Sequence, residues 1–209
     1  MYSDHNPAPR PLSIVQTSAP AIEPVTLAEA KTHMRVDIAD DDAFITSLIT
    51  AAREHAEVAT QRQFITATYE LRLDDFPHRY HDTILLPKPK LQAVSSIVYT
   101  DAGASPVTID PTTYQVDLHT EPARIRPAYG QVWPYIRQGQ LGAVVITFTA
   151  GYGDTAATVP GGIKQAIKII VSDMYENRES LAMGRGEQPF PVPFAAAALL
   201  GPFRVMQVY

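Results

Sequence analysis

The sequence predicts an α+β fold: a small α-helical bundle core with an inserted antiparallel β domain and extended N- and C-terminal arms. Three observations carry this reading. Apolar residues recur at helical spacing towards both ends of the chain, between Phe44 and Ala59 and between Ile163 and Met174. Between these stretches, from Ile65 to Thr149, the period of hydrophobicity changes to two. Prolines then gather outside them, with Pro7, Pro9, Pro11, Pro20 and Pro24 at the start and Pro191, Pro193 and Pro202 at the end. The divisions that follow are an N-terminal arm over 1–25, a helical pair over 26–64, a β insertion over 65–154, a core helix over 155–186 and a C-terminal arm over 187–209.

The arm of residues 1–25 has no sustained periodicity and reads as extended chain. Thr26-Leu-Ala-Glu29 is a capping box, in which Thr26 accepts from a first-turn amide and Glu29 reaches back to the Thr26 amide. A short helix through about Arg35 follows, closed by a turn at Asp37. Asp40-Asp41-Asp42 opens a second helix, with carboxylates at the positive end of its dipole. Phe44, Ile45, Leu48, Ile49, Ala52, Ala56 and Ala59 form its apolar stripe, and Arg53, Glu54 and Glu57 fall away from it. The small residues late in the stripe allow another helix to approach closely.

Five runs then read as strands: Thr66–Leu73, Thr83–Leu86, Val94–Thr100, Tyr114–Asp117 and Ala143–Thr149. Asp101-Ala-Gly103 supplies a hairpin turn, and short strands with such turns predict a small antiparallel sandwich or barrel. Pro160 marks the start of the last core helix, whose stripe is Ile163, Ala166, Ile167, Ile170, Val171 and Met174. After Gly184 and Gly186 the chain carries a single charged side chain, Arg204, from Phe190 to Tyr209. That tail is too interrupted by proline, glycine and Arg204 to span a membrane. Its apolar surface must pack on its own domain or on a partner.

Composition narrows the function. Hydrophobic residues make up 45% and charged residues 19%, the balance of a globular chain. A net charge of −5 argues against a tight nucleic-acid binder, which needs clustered cations to displace counterions. With no cysteine there is no disulfide, thiolate metal site or Cys nucleophile. The N-terminus lacks a basic and apolar leader, so synthesis and retention in the cytoplasm are expected.

Catalytic patterns were weighed against simpler readings. His78-Arg-Tyr-His81-Asp82 allows a metal site, but spaced histidines in a loop are more commonly solvated. His55 has no paired histidine, and Asp37–Asp42 lacks the glycine and distant glutamate of a calcium loop. Gly151-Tyr-Gly-Asp154 has no phosphate-loop lysine and reads as a turn. Asp74-Asp75 has no visible catalytic partner. Trp133, within Tyr129-Gly-Gln-Val-Trp-Pro-Tyr135, either binds a ligand or partner or seals the end of the β core, and sealing is favoured. No cofactor or metal and no enzymatic activity are expected.

The order of Thr26–Asp37, Asp40–Glu54, Tyr129–Pro134, Phe148–Asp154 and Ile163–Ile167 through Tyr175–Glu179 resembles head–tail connector (adaptor) proteins of long-tailed bacteriophages and phage-like gene transfer agents. The likeness extends over about residues 25 to 205, and especially to members with a β insertion between their helices. It implies a homo-oligomeric ring, typically of twelve copies, under the portal protein at the virion neck. Such a ring extends the DNA channel and offers the docking surface for a stopper or tail protein. It also implies that the C-terminal arm docks on the portal, with Phe190, Phe194, Leu199, Leu200, Phe203 and Val205 as apolar anchors. Deleting residues 187–209 is then expected to abolish portal binding and leave the fold intact. The alternatives are a neighbouring stopper or tail terminator, expected to be predominantly β, and a small-molecule-binding or hydrolytic domain using His78, His81 and the Trp133 loop.

Overall fold

In the computed structural model, which describes residues 13–77, 82–177 and 193–205, the chain divides into two units. One takes the chain up to residue 19 together with 66–151, and the other takes 20–65 together with the chain from 152 onward.

The second unit is helical, with α1 (Leu27–Met34), α2 (Asp42–Thr60), α3 (Gly161–Glu176) and α4 (Phe194–Leu200). Thr26 caps α1 as its sequence requires: its hydroxyl accepts from the Glu29 amide at 3.2 Å and its own amide donates to Glu29 Oε2 at 2.8 Å. Those bonds hold the Glu29 carboxyl below its ordinary pKa, the Thr26 amide contributing most. Arg35 then ends the helix in the left-handed region, φ 57°. Lys31 ties the turn to α2 by donating to the Ile38 carbonyl at 2.8 Å and pairing with Asp42 at 2.5 Å.

The aspartates before α2 do other work than capping. Asp41 occupies the N-cap position without a side-chain capping bond. Its carboxylate accepts from the Tyr175 hydroxyl at 2.6 Å, while Asp42 is held by Lys31. Pro160 sits one residue before its expected helical position, as the N-cap of α3, where its carbonyl accepts from Ile163 and Lys164. Ala52 and Ala56 of α2 let α3 pack closely, and Ile45, Ile49, Ile163, Ile167 and Ile170 fill the core between them.

The other unit holds β1 (Ser13–Ser18), β2 (Ala67–Leu73), β3 (Ile84–Leu86), β4 (Leu91–Thr100), β5 (Pro106–Thr108), β6 (Tyr114–Asp117), β7 (Ala123–Pro127) and β8 (Val144–Ala150). They form a five-stranded sheet in the order β1-β2-β8-β4-β5 and a three-stranded sheet in the order β3-β7-β6. Every pairing is antiparallel. Leu71, Ile97 and Phe148 from the first sheet share one core with Leu86 and Ile125 from the second.

Three strands were not expected. β1 arises inside the proline-rich arm, pairing Ser13 with Arg72 and Val15 with Glu70 along the edge of β2. All six of its residues are exposed, so no apolar alternation announced it. β5 opens on Pro106, which an edge strand tolerates. In β7, Ala123 and Ile125 are buried between exposed Arg124 and Arg126. The predicted turn at Asp101 closes the β4–β5 hairpin, with Ala104 donating to the Asp101 carbonyl at 3.0 Å.

Candidate assembly surfaces

The C-terminal segment is the first surface to place. Pro193 leads into α4, whose Ala196 and Leu200 are buried in the helical core, and Val205 beyond it is buried as well. Leu199 and Phe203 pack against the same core, half-buried. Main-chain clamps secure the end: the Val205 amide donates to the Thr60 carbonyl at 3.1 Å, and Arg62 Nε donates to the Phe203 carbonyl. Three of the six expected portal anchors, Leu199, Leu200 and Phe203, therefore already have an apolar seat on their own unit. Phe194 is 88% exposed, and Phe190 lies outside the described residues. Because Ala196 and Leu200 belong to the helical core, deleting this segment is expected to destabilise the fold as well as to remove a docking surface.

The loop between β7 and β8 presents a second apolar surface. Trp133 seals the β core, as favoured from sequence, stacking on Phe76 at 4.8 Å with planes 6° apart. Its indole Nε1 donates to the Asp82 carbonyl at 2.8 Å. Further along, the Arg137 amide donates to the Thr100 carbonyl, and the Gly142 amide donates to Asp74 Oδ1 at 2.6 Å. Around these fixed points Tyr129, Val132, Tyr135 and Leu141 stand almost wholly in solvent. A loop pinned at its buried residues thus displays aromatic and aliphatic side chains with little conformational entropy left to lose.

Beside this loop lies an open cleft of about 520 Å³, lined by Asp82, Gln115, Asp117, Arg124, Arg126 and Tyr129 among others. Its charges are mutually paired. Arg124 bonds Asp117 at 2.6 Å and Arg126 bonds Asp82 at 3.0 Å. The Arg124 bond, helped by the His119 amide, holds the Asp117 carboxyl at about 2, well below its ordinary 3.8. A carboxylate so held stays ionised and does not serve as a proton donor near neutrality.

Sequence reasoning missed a buried polar junction at the end of α2. Arg53 and Glu57, expected on the solvent face, are each only 6% exposed. Arg53 donates to Glu57 Oε2 at 2.7 Å and to Glu23 Oε2 at 2.8 Å. Glu57 Oε1 also accepts from Gln63 Nε2 at 2.8 Å and from the Phe64 amide at 3.0 Å. Burial pulls the guanidinium pKa down, but Glu57 and Glu23 outweigh it and the net direction is up. The signal available in sequence was the i, i+4 spacing of Arg53 and Glu57, which reads equally well as a surface pair.

The remaining candidates do not converge. His78 and His81 lie outside the described residues. Among the described residues, no group of three His, Asp or Glu side chains is placed to hold a metal ion. Asp74 and Asp75 accept from the Gly142 and Phe76 amides, as turn residues do. Gly153 adopts φ +154°, and a Cβ there would stand 2.8 Å from Thr158, so that turn requires glycine. No helix among the described residues is long and apolar enough to cross a membrane.

With this geometry in view, the chain was compared with known proteins. Residues 24–103 match the model of the phage gp6-like head-tail connector protein family. That span runs from the capping box of α1 to the β4–β5 turn. No curated protein matches the sequence. Solved structures share the fold across both units. A chain from the neck of an empty gene transfer agent particle, computed with C6 symmetry, aligns with a TM-score of 0.75 at 24% identity, covering 95% of this chain and 98% of that one. A chain from the virion of a native gene transfer agent gives 0.74 at 23% identity, and one from the neck of the native particle, computed with C12 symmetry, gives 0.73 at 24%. Coverage is 95% and 98% in both.

Proposed function

We propose that this chain is a head–tail adaptor, a structural and non-enzymatic subunit of a ring beneath the portal of a phage-like particle. The observation that carries this is the agreement of the whole fold, helical unit and inserted β unit together, with a chain of a gene transfer agent neck at a TM-score of 0.75. The connector-family match over residues 24–103 supports the same reading. The C12 symmetry of one such neck supports a ring of twelve copies. The four helices argue against a predominantly β stopper or tail terminator.

In this role the subunit is made in the bacterial cytoplasm and joins the portal at the neck. There the ring continues the DNA channel and offers its far side to a stopper or tail protein. A net charge of −5 suits a conduit through which DNA slides without being gripped. Phe194 is the described anchor left to meet the portal. Electron microscopy of purified particles tests the proposal: density for this chain is expected as a closed ring at the portal vertex. Its absence from that vertex would overturn the adaptor reading.

A further inference from the structure

We propose that the Tyr129–Leu141 loop of one copy docks on the acidic α1–α2 turn of its neighbour, and that this contact helps close the ring. The inference rests on the adaptor reading. A ring interface is heterologous, so every subunit must carry two different patches that complement each other. The loop and the turn have that character.

The stretch from Pro122 to Gly142 contains three arginines and no Asp or Glu. Arg124 and Arg126 are engaged by Asp117 and Asp82, whereas Arg137 is exposed and makes no ion pair among the described residues. The turn from Val36 to Phe44 is its opposite, with four aspartates and no Lys or Arg. Asp42 is paired with Lys31 and Asp41 accepts from Tyr175, which leaves Asp37 and Asp40 exposed without an ion pair among the described residues. Each patch also has an apolar centre: Tyr135 and Val132 on the loop, Ile38 and Phe44 on the turn, all exposed. Aromatic contacts at the middle with charges at the rim is the usual anatomy of a protein interface.

Both patches are already ordered. The loop is fixed through Trp133, Thr100 and Asp74, and the turn through Lys31 bonds to Ile38 and Asp42. DNA is the less suitable occupant of the loop. Among the described residues the loop offers one unpaired cation, which displaces too few counterions, and two neighbouring arginines are already neutralised.

Charge reversal in particles tests this, because neither Arg137 nor the exposed Asp37 and Asp40 make a side-chain bond among the described residues. Arg137→Glu should lower the number of copies retained at the neck by about tenfold or more, with an unchanged melting curve. Combining it with Asp37→Lys and Asp40→Lys should restore retention to within about threefold of wild type. Normal rings from Arg137→Glu, with the wild type at the neck, would overturn the interface and leave the adaptor reading standing. Loss of rings without rescue by the lysines would assign the loop to a different protein and overturn the second-copy docking. A wild-type chain missing from the neck would remove the adaptor reading itself.

Discussion

Glu57 shows how one side chain can be misread from periodicity and still be critical. Its carboxylate joins Arg53, Gln63 and the Phe64 amide in a largely buried junction. Removing Glu57 takes the acceptor from the buried Phe64 amide and leaves Arg53 to Glu23 and the exposed Glu54, a loss of about 2–3 kcal/mol. Glu57→Ala should therefore destabilise the protein by about that amount in urea unfolding. Glu54→Ala is the matched control, since the Glu54 side chain is 65% exposed and its 3.4 Å contact with Arg53 is a surface pair. Its cost should stay below about 1 kcal/mol. Equal losses for the two variants would show that the junction is not buried in solution. Nothing in the pattern of α2 distinguished the two glutamates, because both lie off the apolar stripe. What separates them is Glu23 and Gln63, which reach Arg53 and Glu57 from other parts of the chain. By contrast, the partners of Thr26 and Glu29 are each other, three residues apart, and that local site was legible.

At the scale of elements the same division holds between local and distant causes. The apolar stripes of α2 and α3 and the alternation of β2 and β8 are set by near neighbours, and they were readable. β1 is held along β2, at Leu71 and its neighbours far along the sequence, and its exposed side chains carry no pattern. The C-terminal helix α4 stands between the two cases. Its sequence announced apolar surface, but whether its own core or a portal covers that surface depends on Thr60, Arg62 and the α2–α3 pair. The structure seats Leu200 at 3% exposure while Phe194 stays in solvent. Leu200→Ala should then cost about 2–5 kcal/mol in chemical unfolding, as for a buried leucine. Phe194→Ala should change stability by no more than about 0.5 kcal/mol. If Leu200→Ala were equally silent, α4 would not be part of the core in solution, and the original picture of a free arm would return.

For the whole molecule, the decisive sequence feature was the change of period from helical to alternating and back, which located a β region inside a helical one. Each unit has its own cluster of buried side chains. The helical unit also brings together the two chain ends that the β region interrupts. Ile65 and Gly153 form a parallel bridge, and the Tyr152 amide donates to the Phe64 carbonyl at 2.9 Å. Chain ends so close need only a short connection, because closing a loop of a few residues costs little beyond its turn. The helical unit should therefore fold alone when residues 66–151 are replaced by a Gly/Ser linker of about six residues and the chain starts at Pro20. The expected result is a helical circular dichroism spectrum, dispersed amide resonances and one cooperative melting transition. Broad resonances and a non-cooperative melt would mean that the helices draw on the β unit for their order. Success would establish the β unit as a true insertion, free to vary its exposed loops without disturbing the helical core.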